Sequence, residues 1–175
     1  MNAIRLVLAL TIIAKFASAQ NSDISILFGT SESKILNDIS APQLGGSTRR
    51  IVTLQAVYAR QFYENGRIRL YFEIPFVTSG AVFVNPGIRS QFNLTNRVGI
   101  YAFAGAGVAA QQRFVSSDSG WRANFAYDFG GGLDVRLTRL ISLRGELRKL
   151  HPTPQPTFGY GGAYPAAQVG FAFHF

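Results

Sequence analysis

The chain has 175 residues, with 17 Lys and Arg against 9 Asp and Glu for a formal net charge of +8, yet its mean hydropathy is positive at +0.14. With no cysteine it has neither a disulfide framework nor a thiolate metal site. Its basic residues, mostly arginine, are scattered, adjacent only at Arg49-Arg50 and Arg148-Lys149, and form no long basic run of the kind that marks nucleic-acid binding.

The first 19 residues have the layout of a secretory leader. Arg5 supplies the positive start, residues 6–14 form an apolar run, and Ala17-Ser18-Ala19 is a small-x-small cleavage site before Gln20. Lys15, just after the apolar run, departs from the pattern. The run is too short to cross a bilayer as a helix. The expectation is Sec export, removal of 1–19, and a single domain over 20–175. The leader takes two of the 17 basic residues with it, so 15 face 9 acidic ones and the net charge becomes +6.

From there on the dominant period is two, the signature of strands. The first strand, near 23–33, puts Ile24, Ile26 and Phe28 on one face. The second, near 49–63, is irregular because Arg60 falls in phase with Val52, Leu54 and Tyr58; a bulge or a headgroup position would account for it. The third, 67–77, divides Ile68, Leu70, Phe72, Ile74 and Phe76 from Arg67, Arg69, Tyr71 and Glu73. A fourth is expected at 82–93. In the fifth, 97–113, Val98, Ile100 and Val108 compete with Tyr101 and Phe103 for the outside, and the face stays open. The sixth, 121–137, alternates longest, with Phe125, Tyr127, Phe129 and Leu133 opposite Asn124, Asp128, Asp134 and Arg136. The seventh, 140–150, sets Ile141, Leu143 and Leu147 against Ser142, Arg144, Glu146 and Arg148. The last, 164–175, carries Val169, Phe171, Phe173 and Phe175 on one face, with Gly170, Ala172 and His174 on the other.

The links between strands alternate long and short. Glu64-Asn65-Gly66, Leu94-Thr95-Asn96 and Thr138-Arg139 are tight, the first with an Asn-Gly hairpin signal. Residues 34–48, 78–81, 114–120 and 151–163 are longer and more polar. Eight antiparallel strands closed with both ends on the short-turn side give that order, as in a transmembrane barrel with its short turns in the periplasm. A soluble lipocalin-like barrel would put its apolar face inside. Here the last strand sets Gly170, Ala172 and His174 against Val169, Phe171, Phe173 and Phe175, which suits a narrow inside and a greasy outside, so the oily face is assigned outward, into lipid.

The leader, the eight amphipathic strands and the Phe-ending final strand resemble the small bacterial outer-membrane β-barrel superfamily of OmpA/OmpX-like proteins. That resemblance implies an all-β, eight-stranded, up-and-down transmembrane barrel in the outer membrane. It further implies that Phe171, Phe173 and Phe175 form the signal read by the barrel-assembly machinery. The expected surroundings are outer-membrane lipid and lipopolysaccharide, with the chain a monomer.

An eight-stranded barrel has an interior just wide enough for side chains. Counting from the turns puts Glu73 and Glu146 at similar height, with Arg69, Arg89, Arg144 and Arg148 near enough to separate them. Gly105, Gly107, Gly130 and Gly132 make room for long side chains from other walls. The reading is a packed ionic plug without an open pore.

Signals of chemistry are weak. Gly105-Ala106-Gly107 lacks the strand-to-helix context of a dinucleotide loop. No His, Asp and Glu group has metal-ligand spacing, and no cofactor is expected. His151 opens a Pro-rich segment, and Ser116, Ser117 and Asp118 are candidate triad partners, but no histidine-serine motif of lipid A deacylases is present. No catalytic residue is assigned. His174 reads as a polar lumen filler. The longer loops offer Phe158 and Tyr160 as adhesive contacts, and Arg49, Arg50 and Arg113 as holders of lipopolysaccharide phosphate. The function expected is structural, in envelope integrity or surface interaction; the alternatives are a lipid-modifying enzyme and a narrow channel.

Overall fold

A half-oily sheet can remove its exposed edges by closing on itself, and this chain does so. The computed structural model describes residues 21–35, 47–79, 81–112, 121–153 and 164–175. The leader expected at 1–19, loop residues Phe158 and Tyr160, and Ser116, Ser117 and Asp118 lie outside the described residues. The strands are β1 (Ser22–Ile35), β2 (Ser47–Asn65), β3 (Ile68–Thr78), β4 (Val82–Val84), β5 (Gly87–Asn93), β6 (Val98–Gln112), β7 (Trp121–Arg136), β8 (Ile141–Pro152) and β9 (Tyr164–His174). All pairings are antiparallel and run between chain neighbours except around β4 and β5, and β9 returns to β1. Ser22 and Phe175 exchange backbone hydrogen bonds of 2.9 and 3.0 Å at the seam.

Short β4 and β5 both lie between β3 and β6, so together they make one stave of an eight-stave barrel. The fourth strand, expected to be continuous, is interrupted at Asn85-Pro86. Pro86 has no N–H to give to the ladder. The pairing resumes beyond it in the same register, with Glu73 opposite Gly87 and Phe76 opposite Val84.

The tight turns follow from local chemistry. Gly66 has φ of 58°, a left-handed conformation that suits glycine. At the two other short turns a threonine hydroxyl replaces a backbone acceptor. Thr95 Oγ1 accepts from the N–H groups of Arg97 and Val98, at 3.1 and 3.0 Å. Thr138 Oγ1 does the same for Leu140 and Ile141, at 3.2 and 3.1 Å.

The faces are inverted relative to a soluble barrel. Phe28 and Phe125 are each 58% exposed on the outer wall, in the company of Phe72, Phe129, Leu147 and Phe171. Arg89, Arg144 and Arg148 are at most 2% exposed, inside. Both open faces resolve. In β2, Thr53, Gln55, Val57 and Ala59 point inward, while Arg60 stays in the outward phase beside a register shift between Gln61 and Tyr63 at the turn end. In β6, Tyr101 and Phe103 are inside and Ile100 and Val108 outside.

Candidate functional site: the lumen and its two ends

The inward residues of β8 (Ser142, Arg144, Glu146, Arg148 and Leu150) form a ruler along the lumen from the turn end to the loop end. At the level of Arg144, its Nε and Nη2 donate to Asp134 Oδ1 and Oδ2, both at 2.8 Å, a bidentate fork. Arg144 Nη1 donates to Ser25 Oγ at 3.0 Å and lies 3.5 Å from Asp23 Oδ1. Asp23 also accepts from Arg89 Nη2. The Arg89 guanidinium lies 4.2 Å above the Tyr71 ring, a cation–π contact, and its Nε stands 3.9 Å from Glu73 Oε2.

One level on, Glu146 and Glu73 face each other across Arg148. Arg148 Nε donates to Glu146 Oε1 at 2.8 Å, Nη2 reaches Glu73 Oε1 at 3.4 Å, and Nη1 binds Asp128. Glu146 also accepts from Gln55 Nε2 and from the Tyr101 hydroxyl, each at 3.0 Å. A single guanidinium thus separates carboxylates that would otherwise repel one another. Glu73, Arg89, Arg144, Glu146 and Arg148 are brought into this network; Arg69 is not. Arg69 pairs instead with Glu64 at 2.8 Å on the partly exposed turn-end rim, because strand tilt carries the start of β3 below the level of the network.

Tyr101 and Phe103 fill the lumen because of what lies opposite. In the β6–β7 register Tyr101 faces Gly132 and Phe103 faces Gly130. A Cβ placed on Gly132 would stand 2.4 Å from the Tyr101 hydroxyl, and one on Gly130 2.7 Å from Phe103 Cζ. The rings fold across the two glycines, and Phe103 in turn lies 3.9 Å beneath the Arg148 guanidinium. Sequence reasoning found the glycines but not their occupants. It also passed over Asp23, although Asp23 alternates in phase with buried Ser25 and Leu27.

The two ends differ. Toward the loops, Val77, Phe83, Ala109, Ala126 and Leu150 form a buried apolar cluster across the bore, with the Ser31 and Ser79 hydroxyls hydrogen-bonded nearby. Toward the turns the lumen opens into a polar hollow of about 330 Å³. His174, which lines it, is half-buried, and its Nε2 lies 2.7 Å from Ser142 Oγ. His151 is elsewhere: it ends β8 on the outer wall, stacked 4.8 Å from Tyr127 and 5.5 Å from Phe129. Among the described residues no group of three or more His, Cys, Asp or Glu could hold a metal ion.

The closed eight-stave topology with its inverted faces is matched among solved structures. Neisserial surface protein A aligns over 88% of this chain and 96% of its own, with a TM-score of 0.59 at 10% identity. The N-terminal β-barrel domain of Pseudomonas aeruginosa OprF gives 89% and 98%, TM-score 0.56, at 12% identity. This chain has the fold of the small eight-stranded outer-membrane β-barrels. The attachment invasion locus protein Ail of Yersinia pestis, solved with the heparin analogue sucrose octasulfate, gives 89% and 100%, TM-score 0.54, at 13% identity. The fold also carries catalysis in one neighbour, the outer membrane enzyme PagL, at TM-score 0.50 and 15% identity. No family model and no curated protein matches the sequence.

Proposed function

We propose that the chain is an integral outer-membrane barrel with a plugged lumen, serving envelope integrity or surface interaction through its long loops and carrying out neither conduction nor catalysis. The observation that carries this reading is the stacked barrier inside the bore. Two layers of guanidinium–carboxylate pairs are roofed by the Phe83 cluster, and an ion crossing them would have to break buried pairs one after another. The oily outer wall supports residence in lipid, and the fold shared with outer-membrane barrels supports that membrane in particular.

Export through the Sec route with loss of 1–19, insertion guided by Phe171, Phe173 and Phe175, and a monomer in contact with lipopolysaccharide complete the proposal. Phe171 and Phe173 stand on the outer wall of β9, next to the seam, where an assembly factor could read them before closure. Against catalysis stands the position of His151, whose ring is stacked on outer-wall aromatics. Planar-bilayer recording of the refolded protein tests the plug: the expected trace is flat, and large, steady conductance overturns it. Lipid A mass spectra from cells expressing the chain or its His151→Ala variant should coincide. A mass change seen only with the unmodified chain would make it an enzyme.

A further inference from the structure

The turn-end mouth carries a charge imbalance that the plug does not absorb. Its hollow of about 330 Å³ is lined by Arg67, Arg97 and Arg136 together with Gln91, Asn93 and Ser142. An adjoining hollow shares Arg69, Arg136 and His174, and adds Arg139. Seven of the 9 acidic residues are described, and each is already engaged by another arginine. Asp134, the carboxylate in the first hollow, has both oxygens occupied by Arg144, and Glu64 on the rim is held by Arg69. Arg67, Arg97, Arg136 and Arg139 therefore have no carboxylate partner among the described residues.

Arginines free of a counter-ion around a concave polar hollow make a receptor for an oxyanion. The volume is at the small end of ligand sites, enough for a phosphate or pyrophosphate group. Arg67 and Arg97 stand in two different turns and Arg136 ends β7, so the three come to the hollow from separate points of the rim. That arrangement suits oxygens spread around a tetrahedral phosphorus, whereas one fork already satisfies a planar carboxylate. Ser142 and His174 add a hydroxyl and a ring nitrogen at the wall. Behind them the Arg144–Asp134 pair closes the floor, so a bound anion would stop there instead of passing through.

We propose that this turn-end cup binds a phosphate group, held by Arg97 and Arg136 with Arg67, and supplied either by a soluble phosphate ester or by a phospholipid headgroup at the rim. The test is calorimetric titration of the full folded chain in neutral detergent with sodium pyrophosphate. Saturable binding is expected, weakened about tenfold or more in the Arg97→Gln/Arg136→Gln double variant and unchanged in Arg50→Gln at the far end. In nanodiscs, competition by phosphatidylglycerol but not by phosphatidylcholine assigns the site to a lipid headgroup, while indifference to both assigns it to a soluble phosphate. Absence of saturable binding, equal binding by the double variant, or equal affinity for citrate overturns the proposal. Should the double variant fail to fold, phenylglyoxal modification of the unaltered chain decides. Protection of Arg97 and Arg136 by pyrophosphate supports the site, and no protection sinks it.

Discussion

The two ends of the bore are built by the same alternation and finish as opposites. One end is roofed by Phe83, Val77 and Leu150; the other is a cup ringed by arginines. On β8 only eight residues separate Ser142 at the mouth from Leu150 under the roof. An ion pair gains strength as water is excluded, yet the cost of drying its members rises as well. An apolar roof on one side and a wet mouth on the other place Arg148, nearer to the roof along β8, among three carboxylates, and Arg144, one layer toward the mouth, on Asp134 and Asp23. The lumen thus has a polarity that a symmetric plug would lack.

The severest way to break the contrast is to remove the floor common to both halves. Arg144→Met should strand Asp134 without its bidentate partner, leave Asp23 to Arg89 alone, and cost about 3–5 kcal/mol, read as a lower urea midpoint for the folded barrel in bilayers. Opening the roof comes next. Phe83→Ala should cost about 3 kcal/mol by leaving a cavity, while bilayer recordings stay flat because both ionic layers remain. If that variant conducts steadily, the roof and not the ion pairs is the barrier. Gly132→Val should cost about 3 kcal/mol by pressing on the Gly145 carbonyl as well as on the Tyr101 hydroxyl, and Tyr101→Phe, which keeps the ring but drops the bond to Glu146, should cost about 1 kcal/mol. The smallest effect belongs to the mouth: Arg97→Gln should shift stability by less than about 0.5 kcal/mol, as for a surface change away from packed features. A larger loss there would mean that the rim arginines serve the plug.

The outer wall was legible from period alone, because lipid rewards an apolar face, and β7 keeps one along most of its length and β8 from Ile141 to Leu147, before Lys149. The buried half was legible only in composition. That Glu73 and Glu146 share a level follows from counting along strands; that Arg148 stands between them, while Arg69 turns away to Glu64, depends on tilt, which no single strand reports. The face of β6 could not be read because both of its sides are acceptable to hydrocarbon. What decided it was the pair of glycines across the ladder, a relation between two strands. The break at Asn85-Pro86 had a local sign, the proline, but the survival of the register had none: Ala106 still donates its N–H to Pro86 O, and the ladder to β3 resumes in step.

The seam between β1 and β9 has a kinetic consequence. Nine residue pairs, from Asp23 with His174 to Ser31 with Ala166, join the earliest-made described strand to the latest. Until they zip, the chain is a ribbon with two bare margins and a greasy back, and any other ribbon nearby offers an equally good fit. Completion must therefore wait for the final residues to be delivered, and the interval before it is when this chain most needs an escort.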